Sequence, residues 1–352
     1  MANGYAGKVL HVDLTNRKVS EEPLPDEKVL RSWLGCWGVA LRQLYDVAPS
    51  GIQASAPENP MIFWNGPLTD VDVPGNTNIS LATKNFNTGY TAGRSHAHGR
   101  FGINLKRAGY DGLVITGCSE ERVYLSINDR GVEVRDAAYL WGKDTHETEE
   151  ILLRELGEAV SVAAIGPTGE NLCSGGMICN DQHHSFAHSG MGSVMGSKRL
   201  KAIVTQGSGT FPIAHPERIN DIRKRWLQLV ISGARYKRGA KGLAKKEDFR
   251  GTYRRFGGFA GKNFQTDFEE FGIGTNKHTI TPRPCHGCPY ACPVDIELMS
   301  GPHKGRVVTI SGGAEGPEGA GAVLGIANPE HFLYILDLYY RLGIEEIGRA
   351  HV

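Results

Sequence analysis

Eight short apolar runs are crowded into residues 1–210, each too brief for a buried helix and several with alternating polarity. Residues 8–14 (Lys-Val-Leu-His-Val-Asp-Leu) show the period of two that marks a strand with one buried face. Residues 61–64, 78–83, 113–117, 123–127, 132–135, 160–165 and 202–205 are the other strand candidates. Two helical patterns lie between them. Residues 26–45 carry apolar side chains at helical spacing, and residues 145–156 place acids early and Gly157 at the stop. Strands outnumber helices, which favours an α+β class with a sheet-rich first domain over a regular βαβ series.

The 352 residues leave room for roughly two domains. Composition shifts after Pro212. Residues 216–236 read as an amphipathic helix, and a last helix has Asn328 as its cap, Pro329 at its first position and Gly343 at its stop. The expected organisation is a sheet-rich domain over residues 1–210 and the start of a mainly helical domain over residues 211–346. The closing hexapeptide Ile347-Gly-Arg-Ala-His-Val352 resembles translated sequencing-adapter DNA, so residues 347–352 are expected to be a non-native read-through tail.

Charge and hydropathy exclude several classes. Lys and Arg (39) balance Asp and Glu (38), so the whole molecule has no nucleic-acid footprint. No run of roughly 18 apolar residues occurs, so no membrane helix is expected. The start has no basic region followed by an apolar core, so no signal peptide is expected and the location reads as cytoplasmic. One segment stands out: residues 223–255 hold twelve Lys/Arg and two Asp/Glu, leaving 27 basic and 36 acidic residues elsewhere. It suits an acidic partner or phosphate groups, and a solvated helix and loop is the plainer alternative. Nucleic acid is a third option, with only Tyr236, Phe249, Tyr253 and Phe256 interleaved.

Three of the seven cysteines fall in Cys285-His-Gly-Cys288-Pro-Tyr-Ala-Cys292. Gly287 and the prolines Pro282, Pro284, Pro289 and Pro293 keep this stretch out of regular structure, so the sulfurs can converge. The spacing suits three corners of a [4Fe–4S] cluster, which takes four thiolates. Structural zinc, with His286 or a distant histidine as fourth ligand, is the competing reading, and unliganded thiols are a third. Cys36, Cys118, Cys173 and Cys179 lack partner spacing, so a fourth cluster ligand is expected outside the given chain.

The 46 glycines are well above the usual ~7% and follow no period. Two stretches combine them with hydrogen-bond donors: Gly89-Tyr-Thr-Ala-Gly-Arg-Ser-His96-Ala-His98-Gly99-Arg100, and residues 180–198 with His183, His184, Ser185, His188, Gly190, Gly192 and Lys198. Such loops can turn backbone N–H groups toward an anion. Neither matches a dinucleotide or P-loop fingerprint. His96 and His98 would share one face of a strand, and His184 and His188 one face of a helix. They could ligate a metal, or donate hydrogen bonds to a ligand or to backbone. Ser193 lacks the G-x-S-x-G setting of a nucleophile.

Several segments, in order, resemble the tungsten-dependent aldehyde:ferredoxin oxidoreductase family. They are Gly7-Lys-Val-Leu-His-Val-Asp-Leu14, Trp33-Leu-Gly-Cys-Trp-Gly38, Asn65-Gly-Pro-Leu-Thr69, Leu105-Lys-Arg-Ala-Gly-Tyr-Asp-Gly112, Ala164-Ile-Gly-Pro-Thr-Gly-Glu-Asn171, Val194-Met-Gly-Ser-Lys-Arg-Leu-Lys-Ala202 and Lys262-Asn-Phe-Gln-Thr266. The resemblance runs from Gly4 to about Glu345, roughly the amino-terminal half of a typical member. It implies a sheet-rich platform under two pterin dithiolenes (bis-molybdopterin) that hold tungsten or molybdenum, with Mg2+ bridging their phosphates. Carried over by position, Asn78, His96, His98, Gly99, His184, Ser185, Gly190 and Gly192 fall in the cofactor-binding loops. His96 stands where Asn is typical, His98 where Gly is, and Asn78 and His184 where Arg is.

The resemblance further implies that Cys285, Cys288 and Cys292 ligate the [4Fe–4S] cluster. Glu315-Gly-Pro-Glu318 resembles the family's Glu-Gly-Pro-Glu, which makes Glu318, and after it Glu315, the candidate catalytic acids or bases. A family Asp-x-x-Gly-Leu-Asp motif would fall at Tyr340-Arg-Leu-Gly-Ile-Glu345. The implied reaction is oxidation of a small aldehyde to a carboxylic acid, with electrons leaving through the cluster to ferredoxin or an electron-transfer subunit. A relative that reduces an aromatic acid or acyl-thioester is the enzymatic alternative, and a zinc- or cluster-stabilised interaction module the non-enzymatic one. Oligomeric state stays open, a homodimer being one option.

Overall fold

In the computed structural model, which describes residues 2–233, 260–267, 271, 274–289, 292–310 and 315–345, the alternating run near the start forms an edge-paired strand of a mixed sheet. The chain divides into two units. One takes Met1–Asp72, Asn76–Glu217 and Arg341–Ile344, and the other Val73–Gly75, Arg218–Tyr340 and Glu345–Val352.

The first unit holds two six-stranded sheets. One contains β1 (Lys8–Asp13), β2 (Lys18–Pro23), β3 (Met61–Asn65), β4 (Ile79–Lys84), β5 (Ala92–Ala97) and β6 (Tyr110–Thr116), in the order β2-β1-β6-β3-β4-β5. The other contains β7 (Val123–Asn128), β8 (Gly131–Asp136), β9 (Ser161–Ile165), β10 (Ile178–Asn180), β11 (His184–Phe186) and β12 (Leu200–Thr205), in the order β8-β7-β12-β9-β10-β11. The two orders are one topology used twice. In each, an opening hairpin pairs in parallel with the sixth strand, β1 with β6 and β7 with β12, and every other pairing is antiparallel. Each parallel pairing skips one residue of the sixth strand, Asp111 in β6 and Lys201 in β12. Such a bulge turns one side chain out of the alternation, and both of these bulges place a charged residue in the interior.

The sixth strand of each copy follows a helix, α3 (Phe101–Arg107) or α6 (Met191–Ser197). Phe101 and Leu105 of α3, and Met191, Val194 and Met195 of α6, join Phe63, Leu113, Ile165, Phe186 and Ile203 in one core shared by both sheets. The rings of Phe63, Phe101 and Phe186 meet edge to face at 5.4–6.1 Å between centroids. Each fully buried ring contributes about 1.5–3 kcal/mol. On the outside, α1 (Glu27–Trp33) and α2 (Cys36–Val47) cover Ile62, Trp64 and Ala82, while α4 (Thr145–Leu156) covers Val162 and Val204 through Leu152. A four-residue α5 (Pro167–Glu170) follows β9.

The strands expected from alternation are present within a few residues of their predicted bounds, and α4 has the predicted bounds. Asp144 caps α4 in a reciprocal box with Glu147. The single helix expected over residues 26–45 is instead two, broken where Leu34 (φ 61°) and Gly35 (φ 94°) turn left-handed. A side chain at Gly35 would meet the Asn65 carbonyl at 2.6 Å, so the break lets the chain pass close to β3.

Among the described residues, the second unit holds α7 (Pro216–Ser232), the short pair β13 (Ala260–Gly261) and β14 (Thr266–Asp267), and a three-stranded antiparallel sheet of β15 (Thr279–Pro282), β16 (Val294–Glu297) and β17 (Val307–Ile310). A helical turn Glu315–Pro317 runs into a π-helical turn Glu318–Ala322, and α8 (Pro329–Leu342) follows. Asn328 Oδ1 accepts from the backbone N–H of Glu330 (2.9 Å), so it caps α8 as expected. Arg306, just before β17, pairs with buried Asp337 of α8 at 2.8 Å, and His303 stacks on Tyr334 at 3.7 Å. Most of the basic segment 223–255 and all of the suspected tail 347–352 lie outside the described residues. No described helix is long and apolar enough to cross a membrane.

Candidate functional site

Strand β5 has almost no apolar side chains, yet it is half buried, because Gly93, Ser95 and Ala97 face inward while Arg94 and His96 face out. His98 continues the outward face two residues on, as the sequence predicts. Trp37 of α2 lies beside this face. Its ring meets His96 at 4.8 Å, the Arg94 guanidinium sits 4.0 Å from it, and its N–H donates to the Ser95 carbonyl at 2.8 Å. His96 and His98 follow at 5.7 Å, His98 and His184 at 6.0 Å, and His184 and His183 at 4.3 Å. The row crosses from the first sheet to the second where β5 runs beside β11.

His184 opens β11 and pairs with Asn180, and His188 lies beyond the strand with a left-handed backbone (φ 68°). The two therefore do not share a helix face, contrary to the sequence expectation. The helix α6 begins only after Gly190, and a tight hairpin occupies the position read as helical.

That hairpin is short. Three residues, Asp181, Gln182 and His183, join β10 to β11, and Asp181 (φ 50°) and Gln182 (φ 63°) are both left-handed. The Asp181 carboxylate accepts from Ser161 Oγ and from the Arg100 backbone N–H, each at 2.6 Å. Asn180 Nδ2 donates to the His98 carbonyl at 2.7 Å. The hairpin and the 98–100 loop are thus stitched together around Gly99 (φ 89°). A Cβ there would overlap the Asp181 carboxylate and come within 2.8 Å of the His184 ring and 2.9 Å of Asn180. Only glycine fits.

Burial pushes the Asp181 carboxyl up, opposed by the hydrogen bonds it accepts. Burial also pushes His96 and His98 down, reinforced for His96 by Arg94 and His188 and for His98 by His96. His184 is held well below the ordinary imidazole value, first by burial and then by His183 and His98. His96, His98 and His184 are therefore neutral at pH 7 and offer hydrogen bonds, not charge.

This has a measurable consequence. Below the unfolded imidazole value of about 6.5, the unfolded chain takes up a proton at residue 184 that the folded chain resists. Stability therefore falls as pH drops from about 6.5 toward the depressed folded value, at up to about 1.4 kcal/mol per pH unit for that proton. Urea midpoints measured at pH 7 and pH 5 should show this fall, and His184→Gln should flatten it.

The remaining sequence-derived residues divide. Asn78 lies just before β4, next to Thr77, whose hydroxyl is 3.4 Å from His98 Nδ1. Ser185 follows His184 on β11 and pairs with Cys179. Gly190 and Gly192 are taken up by packing: Gly190 starts α6 against Phe86 and Asn87, and Gly192 donates to the Gly176 carbonyl and lies against the Met177 backbone. The seam also uses Asn180, Asp181 and Gln182, which open the second glycine-rich stretch but have no role assigned from sequence, and Ser161, which lies outside both stretches. No local pattern marks them, since their partners are distant in the chain.

The side-chain oxygens of Asn78 and Asn180 are enclosed without a hydrogen-bond partner. For Asn180 the orientation is fixed, because the His98 carbonyl can only accept and so must face the amide nitrogen. Two unmet acceptors, neutral imidazoles and a glycine approach suit a ligand rich in N–H donors and phosphate oxygens, which is the chemistry of a pterin phosphate.

In the second unit, Cys285, Cys288 and Cys292 lie on the loop between β15 and β16, closed at its base by the Arg283 N–H donating to the Pro293 carbonyl at 2.8 Å. All three are half-buried thiols and none is in a disulfide. Three soft donors on one closed loop fit iron–sulfur chemistry. Among the described residues, no three His, Cys, Asp or Glu side chains are gathered closely enough to hold a metal ion. Glu318 opens the π-helical turn and is half-buried, and Glu315 opens the turn before it.

The sequence model described as aldehyde ferredoxin oxidoreductase, N-terminal domain, matches residues 9–207, from β1 to just past β12. The chain belongs to the aldehyde ferredoxin oxidoreductase family. It is 34% identical to the tungsten-containing aldehyde ferredoxin oxidoreductase of Pyrococcus furiosus, over 98% of this chain and 57% of that protein. It is 36% identical to the protein of the same name from Thermococcus kodakarensis, over 82% of this chain and 48% of that one. A more distant relative, 30% identical over 99% of this chain, is the aliphatic sulfonate oxidoreductase, WOR-like subunit, of Pyrococcus furiosus. Among solved structures, the active-site complex BamBC of benzoyl coenzyme A reductase with 1,5-dienoyl-CoA matches with a TM-score of 0.85 and 26% identity, over 98% of this chain and 54% of that chain. The chain thus spans about half the length of the relatives it matches. Apart from Lys8, the strands of both six-stranded sheets, and the histidine seam, fall within the matched residues.

Proposed function

We propose that this aldehyde ferredoxin oxidoreductase family member is the amino-terminal part of an oxidoreductase that converts small aldehydes to carboxylic acids. The cofactor would be tungsten or molybdenum held by two pterin dithiolenes, with a [4Fe–4S] cluster and Mg2+ as the further groups. The observation that carries this reading is the seam. Asn78, His96, His98, Gly99 and His184, from three separate stretches of the sequence, converge within the family-matched domain beside two enclosed and unmet amide oxygens.

When bound, the metal–pterin group would supply two-electron redox chemistry and the cluster a one-electron outlet. The chain's own residues do the rest. His96, His98 and His184 donate hydrogen bonds to the pterin tail as neutral imidazoles, Asn78 and Ser185 complete its polar surroundings, and Gly99 keeps the approach open. Gly190 and Gly192 support the same loop from behind by setting the start of α6. Cys285, Cys288 and Cys292 supply three cluster thiolates. Glu318, and after it Glu315, is the candidate carboxylate for holding a proton during the reaction. Residues 1–210 form the platform, and residues 211–346 begin a mainly helical domain that carries the cluster cysteines. Ferredoxin or an electron-transfer subunit takes the electrons in the cytoplasm.

A second reading, reduction of an aromatic acyl-thioester, is favoured by the likeness to the benzoyl coenzyme A reductase complex over 98% of this chain. One experiment separates the two. The complete gene product, isolated without oxygen, should carry tungsten or molybdenum with about four iron atoms per chain and should reduce a viologen dye when given aldehydes. Dye oxidation coupled to aryl-CoA and no response to aldehydes would select the second reading. A colourless protein containing only zinc would overturn both.

A further inference from the structure

Helix α4 is amphipathic, yet its inner face carries two residues that do not belong in an apolar core. His146 and Glu149, one turn apart, are both buried, at 5% and 8% exposure. Neither is part of the histidine row. Both reach the same residue, Gln182, at the tip of the β10–β11 hairpin. Glu149 Oε2 accepts from the Gln182 backbone N–H, and His146 Nε2 donates to the Gln182 backbone carbonyl, each at 3.0 Å. A carbonyl only accepts, so Nε2 carries the proton.

Gln182 is one of two successive non-glycine residues with left-handed backbone in that turn. An L-residue with a long side chain holds that conformation only when its surroundings over-determine it. Here the backbone donor and the backbone acceptor of the strained residue are both satisfied by side chains from one helix. Asp181, the other left-handed residue, is held by Ser161 and the Arg100 N–H. The hairpin itself cannot set its own register, since β10 and β11 pair over only three residues. A slip of one residue would send His184 to the opposite face of the strand, away from His98.

We propose that His146 and Glu149 are positioning residues that lock the hairpin tip, and with it the register of His184, into the form the cofactor seam requires. This rests on the reading of the seam as a pterin-phosphate site. They touch the hairpin's backbone and not the cofactor. Their action belongs with the outer-layer contacts that orient ligating side chains, whose removal typically weakens binding by about 10–100-fold.

The test uses the complete protein purified without oxygen, with pterin and tungsten or molybdenum measured per chain. Glu149→Ala and His146→Ala should each lower cofactor retention on dilution by about tenfold. Glu149→Gln, which keeps an acceptor for the Gln182 N–H, should retain most of it. The deciding variant is Glu149→Ala combined with Gln182→Gly. Glycine adopts a left-handed backbone without strain, so the double variant should regain much of the lost retention, which loss of packing alone would not allow. Leu152→Ala on the same helix serves as the control, lowering the melting temperature while leaving cofactor content near wild type. The inference falls if Glu149→Ala retains cofactor normally, if adding Gln182→Gly restores nothing, or if Leu152→Ala loses cofactor to the same extent. A wild-type protein that holds no pterin would instead overturn the reading of the seam itself.

Discussion

Lys201→Met should destabilise the first unit by about 3–5 kcal/mol, the range found when one member of a buried ion pair is removed. Lys201 and its carboxylate partner Glu170 are 0% and 3% exposed. The ammonium also donates to the carbonyls of Lys143 (2.8 Å) and Ile165 (2.7 Å), so all three of its protons are used. Burial pulls the Lys201 value down, opposed by its hydrogen bond and attraction to Glu170. Methionine matches the length of the stem but leaves the Glu170 carboxylate enclosed, with the Gly142 N–H (2.8 Å) as its remaining partner. A loss of that size corresponds to a fall in melting temperature of roughly 10 °C for a domain this large. Replacing Glu170 by Gln in the same protein should recover much of it, because the penalty lies in the stranded charge. Calorimetry on the two variants checks the prediction. A drop of under about 1 kcal/mol in the single variant, the scale of an exposed pair, would show that the pair is hydrated.

Gly99→Ala should have the larger effect on function. The backbone at Gly99 is left-handed (φ 89°), and the added methyl would intrude on Asp181, Asn180 and the His184 ring together. These atoms cannot retreat independently, because Asp181 is tied to Ser161 and Arg100, and Asn180 to the His98 carbonyl. Overpacking typically costs about 1–3 kcal/mol, and the left-handed conformation adds about 1–2 kcal/mol. The strain falls on the seam, so cofactor content should drop below about a tenth of wild type even at temperatures where the protein stays folded. Metal and pterin analysis beside circular dichroism separates the two effects. A folded variant with full cofactor content would show that the ligand lies elsewhere.

Strands such as β1 and β9 were legible because their burial leaves a trace in composition, either alternating or continuously apolar. β5 leaves only the two-residue spacing of His96 and His98, which reads as one strand face. Its inward residues are Gly, Ser and Ala and its outward ones Arg and His, so no apolar run marks its bounds or its pairing with β4. β10 and β11 are too short for any periodic signal, and the four-residue spacing of His184 and His188, all that the sequence offers there, points to one helix face. The break at Leu34 and Gly35 was hidden for a related reason: apolar spacing continues across it while the backbone reverses. The types of residue at the seam were visible, and their assembly was not. Gly99 is fixed by Asp181, and Gln182 by His146 and Glu149, across separations that no local window spans.

The repeated topology was hidden as well, because the two copies share positions more than residues. At the matching bulges one carries an acid, Asp111, and the other a base, Lys201. A homodimer built from one such half would be bound by its symmetry, so that any change of side chain appeared on both sides of the seam. Joining both halves in one polypeptide lifts that bond. One side has come to present Trp37 with Arg94 and His96, and the other a braced hairpin bearing His183 and His184. Any guest composed of two like moieties would find a different neighbourhood at each, and the two could diverge in how tightly, and with what polarity, they are gripped.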